Sequence, residues 1–177
     1  MILSVSLETA NGIVALLVYV DDIIIIGFDI PLIENLQHSL NTAFHMKDLR
    51  ELHYFLGLQV HSRSDGIFLH QHKYTQEILL LAGLESGNSV LTPLEINLKF
   101  CQNDGDLLPD PSIYRQLVGS LNYLTITRPD ISFAVQQVSQ FLQTPCQPHV
   151  AAVKRISRYL KGTYGRGIFF QLTLHYN

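Results

Sequence analysis

The stretch Ile13-Val-Ala-Leu-Leu-Val-Tyr-Val-Asp-Asp-Ile-Ile-Ile-Ile-Gly27 decides how this chain is read. On both sides of Asp21 and Asp22 the residues are aliphatic, mostly β-branched, which suits buried strands. A two-residue break between two such runs predicts a tight hairpin with Asp21 and Asp22 at its tip. Favoured two-residue turns use Asn-Gly or Asp-Gly, because their central residues take positive φ, so Asp-Asp is a poor structural choice there. A broken local rule marks a candidate site. Two adjoining carboxylates resist ionising together, and a bound divalent cation removes that cost. Oxygen ligands with open positions suit Mg²⁺, which retains water and accepts substrate phosphates. Such equipment serves phosphoryl or nucleotidyl transfer.

Other readings compete. Gly12 to Phe28 is 17 residues of mostly apolar character, short for a membrane helix. Two central aspartates would add about 2.5 to 3.5 kcal/mol each against insertion. A solvated acidic turn between two core strands is a second alternative, since turns are rich in Asp for ordinary reasons. A metallohydrolase is a third, and it needs further His or Asp ligands that the sequence does not place.

Of the 177 residues 47% are hydrophobic and 15% charged, the latter low against about 25% in ordinary soluble domains. That balance predicts exposed apolar surface and poor solubility of the isolated chain. The net charge of −3 conceals an asymmetry. Residues 1–111 hold five Lys/Arg and fourteen Asp/Glu, while residues 112–177 hold seven Lys/Arg and one Asp. Lys154, Arg155, Arg158 and Lys161 fall in one helical pattern that could follow a phosphate backbone, or form a solvated helix face.

After the first hairpin, Asp29 is a candidate N-cap and Pro31 suits a first helical turn, followed by Leu32, Leu36, Leu40 and Phe44 at four-residue spacing. Tyr54–Val60 and Ile67–Gln71 flank Ser64-Asp65-Gly66 and predict a second hairpin. Lys73–Ala82 reads as a helix ended by Gly83. Residues 85–111 collect Pro93, Pro109, Pro111, Gly87 and Gly105 with little periodicity and read as a linker. Three apolar stripes follow at helical spacing, beginning at Tyr114, Ile131 and Val150. His61, His70 and His72 could approach one another around the second hairpin as a weak zinc candidate. Cys101 and Cys146 have no motif spacing. No signal peptide, transit peptide or membrane span is evident, and the compartment is left open.

Tyr19-Val20-Asp21-Asp22 with its flanks resembles the central motif of reverse transcriptases of copia-type LTR retrotransposons. Further matching segments follow in order: Phe44-His-Met-Lys-Asp-Leu49, Leu52-His-Tyr-Phe-Leu-Gly-Leu58, Tyr114-Arg-Gln-Leu-Val-Gly-Ser-Leu-Asn-Tyr-Leu124, Thr127-Arg-Pro-Asp-Ile131, Val138-Ser-Gln-Phe141 and Arg158-Tyr-Leu-Lys-Gly-Thr163. The resemblance runs from about residue 12 to 170. It implies an α+β fold: a partial polymerase palm over 1–84, a linker over 85–111, a helical thumb or connection region over 112–166, and the start of a ribonuclease H segment over 167–177. It also implies Asp21 and Asp22 as catalytic ligands of Mg²⁺ or Mn²⁺, with Tyr19 and Val20 flanking them. Phe55, Leu56 and Gly57 match the primer grip, and Lys47 a position near the departing pyrophosphate. That family usually has Gly where this chain has Arg50, which puts the local turn in doubt.

In the family a further essential aspartate and the fingers precede the Tyr-Val-Asp-Asp hairpin, and Met1–Asn11 supplies no aspartate. The expectation is a piece of an RNA-directed DNA polymerase acting on an RNA/DNA primer-template, inactive alone unless a missing palm and fingers segment joins it. The alternative is a non-catalytic remnant that binds nucleic acid or a partner protein.

Overall fold

Leu3, Val5 and Leu7 alternate with Ser4, Ser6 and Glu8, and Asn11-Gly12 follows, a pattern that makes a strand and a tight return. In the computed structural model, which describes residues 3–84, 86–95, 100–101 and 105–171, this is β1 (Leu3–Thr9), paired antiparallel with β2 (Gly12–Tyr19). A second hairpin joins β2 to β3 (Asp22–Gly27), giving the sheet order β1-β2-β3. The stretch that could have been a membrane helix is therefore a β-hairpin, and among the described residues no helix is long and apolar enough to cross a membrane. The chain divides into two compact units, Met1–Phe55 and Leu56–Asn177.

In the first unit Asp29 caps helix α1 (Ile30–Phe44), its Oδ1 accepting the Leu32 N–H at 3.1 Å, with Pro31 in the first turn as the sequence requires. Thr9 Oγ1 and Asn11 Nδ2 donate to the other carboxylate oxygen, so the first hairpin is tied to the helix start. The helix buries no residue fully, and Phe44, expected on its apolar stripe, is 70% exposed. Leu3, Val5 and Leu7 on the sheet are also exposed, in keeping with the apolar surface that composition predicts. A short strand, β4 (Tyr54–Phe55), ends this unit.

The strand expected over Tyr54–Val60 breaks at Leu56 and Gly57, whose φ values of 50° and 77° leave the extended region. The second unit resumes with β5 (Leu58–Arg63), then β6 (Gly66–His70), paired antiparallel in the register that sets Arg63 opposite Gly66. On its other side β6 pairs with β7 (Ile168–Gln171), so these residues of the expected ribonuclease H start belong to this sheet, while residues 172–177 lie outside the described residues. A Cβ at Gly66 would run into the Phe170 carbonyl oxygen, and one at Gly167 into that of Leu69, which fixes glycine at both crossings.

Helices α2 (His72–Leu81), α3 (Ser112–Leu124), α4 (Ser132–Ser139) and α5 (Gln147–Gly162) enclose one core. Ile78, Leu117, Leu121, Leu124, Val138, Ile156 and Leu160 are its buried centre. Burial of such side chains is the dominant favourable term, about 1.5 to 3 kcal/mol each. Ile78 and Ala82 of the α2 region enter that core, so α2 packs with the later helices within the second unit. Of that stretch Val90, Leu94, Phe100 and Leu108 pack on the core, whereas residues 85, 96–99 and 102–104 lie outside the described residues. The architecture is α+β: two antiparallel sheets with five α-helices among the described residues.

Candidate active site

Tyr19 pairs with Asp22, which makes Val20 and Asp21 the two turn residues. The expected tip, Asp21-Asp22, is thus displaced by one position, and Asp22 is the first residue of β3. The backbone departure falls on Val20, at φ 50° and 76% exposed. A β-branched side chain in the left-handed region is a steric outlier. The strained residue of this turn is consequently the one between Tyr19 and the acidic pair.

Asp21 and Asp22 are both exposed, and neither makes an ion pair or side-chain hydrogen bond among the described residues. They line a cavity of about 510 Å³ within the first unit. Its walls include Ile23–Ile26 of β3, Leu40 and Asn41 of α1, and the coil 46–53 that runs on into β4. Lys47 and Arg50 line it as well. Arg50 keeps the turn that the resemblance puts in doubt: it takes φ 62°, and Asp48 Oδ1 accepts its backbone N–H at 2.7 Å. Phe55 lines the same cavity and is 9% exposed.

Leu56 and Gly57, the other two primer-grip positions, form a positive-φ turn in the second unit. Tyr123 of α3 holds it: the phenol hydroxyl donates to the Leu56 carbonyl, and the ring lies 3.5 Å from where a Gly57 Cβ would stand. In the sequence Tyr123 stands out only as part of a longer motif, because nothing local in the chain links it to Leu56, 67 residues away.

Lys154, Arg155, Arg158 and Lys161 all lie on α5 as expected, yet three of them turn to the stretch 84–95. Arg155 pairs with Glu95 at 2.9 Å and donates to Thr92. Arg158 donates to the Asn88 carbonyl at 3.3 Å, and Lys161 to that of Leu84 at 3.3 Å. Lys154 is exposed.

His61, His70 and His72 do come together, with ring centroids 4.8 and 3.7 Å apart, and Tyr164 stacks on His72 at 4.8 Å. The His61 and His70 rings are nearly parallel, at 8°, and His72 is tilted by 33° to His70. Among the described residues no group of three or more His, Cys, Asp or Glu is placed to hold a metal ion. Burial, with His72 and His61 adding to it, pushes the His70 imidazole down to about 4. Cys146 is buried at the start of α5 and Cys101 is exposed; neither is in a disulfide.

The Thr127-Arg-Pro-Asp-Ile motif forms a polar knot that the sequence did not reveal. Arg128 donates to both carboxylate oxygens of Asp130, at 2.8 and 2.7 Å, and to the Thr163 carbonyl beyond α5. The Tyr159 hydroxyl donates to Asp130 at 2.9 Å.

A profile of the reverse transcriptase (RNA-dependent DNA polymerase) family matches residues 5–96. The chain is 43% identical, over 96% of its length, to the retrovirus-related Pol polyprotein from transposon RE1 of Arabidopsis thaliana, and covers 12% of that protein. It is 38% identical, over 90% of its length, to the Pol polyprotein from transposon TNT 1-94 of Nicotiana tabacum, covering 13%. An uncharacterized mitochondrial protein of A. thaliana is 43% identical over 87% of the chain, and 64% of that protein is covered. The chain thus spans about an eighth of the Pol polyproteins it matches. No solved structure matches. The chain belongs to the reverse transcriptase family of copia-type retrotransposons.

Proposed function

We propose that residues 1–84 contribute part of a polymerase palm, and residues 112–166 part of its thumb or connection, to RNA-directed DNA synthesis by a longer Pol polyprotein. The observation that carries this reading is the acidic pair. Asp21 and Asp22 are adjacent, exposed and without ion-pair partners among the described residues, on a hairpin strained at Val20 and beside a cavity large enough for a nucleotide. Free carboxylates of this kind fit a divalent cation, and Asp21 and Asp22 are the residues that hold it. Bound Mg²⁺ or Mn²⁺ supplies charge neutralisation between carboxylates and phosphates, and activation of a hydroxyl.

The reaction joins a primer 3′-hydroxyl oxygen to the α-phosphorus of an incoming nucleotide and releases pyrophosphate. In it Lys47, on the cavity wall, meets the departing pyrophosphate, while Phe55, Leu56 and Gly57 support the primer end. The Tyr123 hydroxyl fixes the carbonyl geometry of that turn. Lys154, the exposed member of the basic stripe, contacts template or primer phosphate. Among the described residues no group of three or more His, Cys, Asp or Glu is placed to hold a metal ion, so on this reading water and the nucleotide complete the coordination.

A second reading is a non-catalytic protein that binds nucleic acid or a partner. Mn²⁺ binding followed by electron paramagnetic resonance separates the two. The catalytic reading expects binding by the chain that is lost in the Asp21→Asn/Asp22→Asn variant; equal binding by both would leave only the second.

A further inference from the structure

Residues 1–55 hold seven Asp/Glu and two Lys/Arg, and those two cations, Lys47 and Arg50, both line the cavity of Asp21 and Asp22. Four carboxylates, those of Asp21, Asp22, Asp48 and Glu51, thus share the wall with these two cations. Asp48 and Glu51 are adjacent in sequence, yet neither Lys47 nor Arg50 forms an ion pair or side-chain hydrogen bond among the described residues. Arg50 is held there at φ 62°, a conformation natural to glycine and disfavoured for a residue with a Cβ. The Asp48 carboxylate stabilises that conformation by accepting the Arg50 N–H, and in doing so fixes the position from which the side chain departs.

We propose that Arg50 is a phosphate-binding residue of this cavity, its guanidinium acting beside Lys47 on the polyphosphate of a bound nucleotide. This rests on the nucleotidyl-transfer reading of Asp21 and Asp22 and extends it to a second cationic residue of the same cavity. A metal-bound polyphosphate presents positive charge toward carboxylates and excess negative charge elsewhere. The cavity offers both kinds of group, Asp21 and Asp22 for the cation and Lys47 and Arg50 for the oxygens, while Asp48 is engaged by the Arg50 N–H. A guanidinium fork matches phosphate oxygens in bidentate fashion, which a lysine does not.

The test is calorimetric titration of the 177-residue chain with inorganic pyrophosphate in the presence of Mn²⁺. Arg50→Gly suits it because glycine adopts the observed backbone freely, so thermal stability is expected to hold or rise. Pyrophosphate affinity is expected to fall about tenfold or more, the loss of a charge-assisted contact. Arg50→Lys should recover only part of it.

Pyrophosphate bound by Arg50→Gly as tightly as by the parent would overturn the assignment, as would no binding by the parent. Arg50-dependent binding of a single-stranded oligonucleotide without pyrophosphate binding would also overturn it, in favour of a backbone phosphate. Failure of the underlying reading has a separate signature: Asp21→Asn/Asp22→Asn would then keep the full Mn²⁺-dependent affinity.

Discussion

Arg128 and Asp130 form a two-pronged ion pair at 2.8 and 2.7 Å, in which the guanidinium side chain is 3% exposed and the carboxylate 31%. Thr163 and Tyr159 complete the knot, so the turn after α3 is bound to the end of α5. Removing one partner strands a buried charge. Asp130→Ala is expected to cost about 3 kcal/mol in urea denaturation, and a loss below 1 kcal/mol would mean that the pair is dispensable.

The same pair sets an acid limit. Burial pushes the Asp130 carboxyl up, but the bonds from Arg128 and Tyr159 outweigh it and leave it below the usual carboxylate range. The stability it contributes is therefore fully present above the unfolded value near 4 and is lost as pH falls through the lower folded value. Asp130→Asn should remove that part of the acid dependence, measurable as a flatter denaturation midpoint below pH 4.

His70 acts at milder pH. Its folded value of about 4 lies below the ordinary 6.5, so the unfolded chain takes up the proton first. Stability falls as the solution is acidified from about pH 6.5 towards 4, and the loss is complete below that. His70→Phe, which keeps a ring in the stack with His61 and His72, should flatten the melting temperature across this window. An unchanged slope would exclude His70 as its source.

Val20 strains the turn that carries Asp21. Because its side chain is 76% exposed, replacing it removes little burial. Val20→Asn is expected to raise stability by about 1 kcal/mol, since asparagine tolerates the left-handed region. Thermal melting that shows a loss would mean the turn is shaped by the valine side chain itself.

The stripe on α5 divides by role. Lys154→Ala should weaken primer-template affinity and lower the salt slope by about one, as the loss of one phosphate contact requires. Arg155→Ala should act instead through the stretch 88–95, raising its amide exchange, because Arg155 holds Glu95 and Thr92. Its half-exposed ion pair is worth at most about 1 kcal/mol.

Local chemistry was the legible part of the sequence. Asp29 as a cap, Pro31 in the first turn, the Ser64-Asp65-Gly66 hairpin and the buried stripes of α3 and α5 all follow from short-range rules, whereas the α1 stripe forms a helix without becoming buried. Strand β1 is equally legible, in its alternation and the Asn11-Gly12 signal. The one-residue shift of the turn was not legible, because Val at positive φ violates the preference that placed the tip at Asp21-Asp22. Long-range partnerships were hidden for a different reason. Tyr123 on Leu56, Arg155 on Glu95 and Arg128 on Thr163 join residues far apart in sequence, and no periodicity encodes them. The packing of Ile78 among later helices within the second unit was equally hidden.

On the proposed function, Asp21 belongs to a working polymerase site within a Pol polyprotein. Exchange of this chain for the segment it matches in the transposon RE1 polyprotein, followed by primer extension on an RNA template with Mg²⁺ or Mn²⁺, tests it most directly. Extension by the chimera that disappears with Asp21→Asn is the expected result. Extension that persists in Asp21→Asn, or a chimera that folds but is inert while the parent polyprotein extends, would contradict the claim.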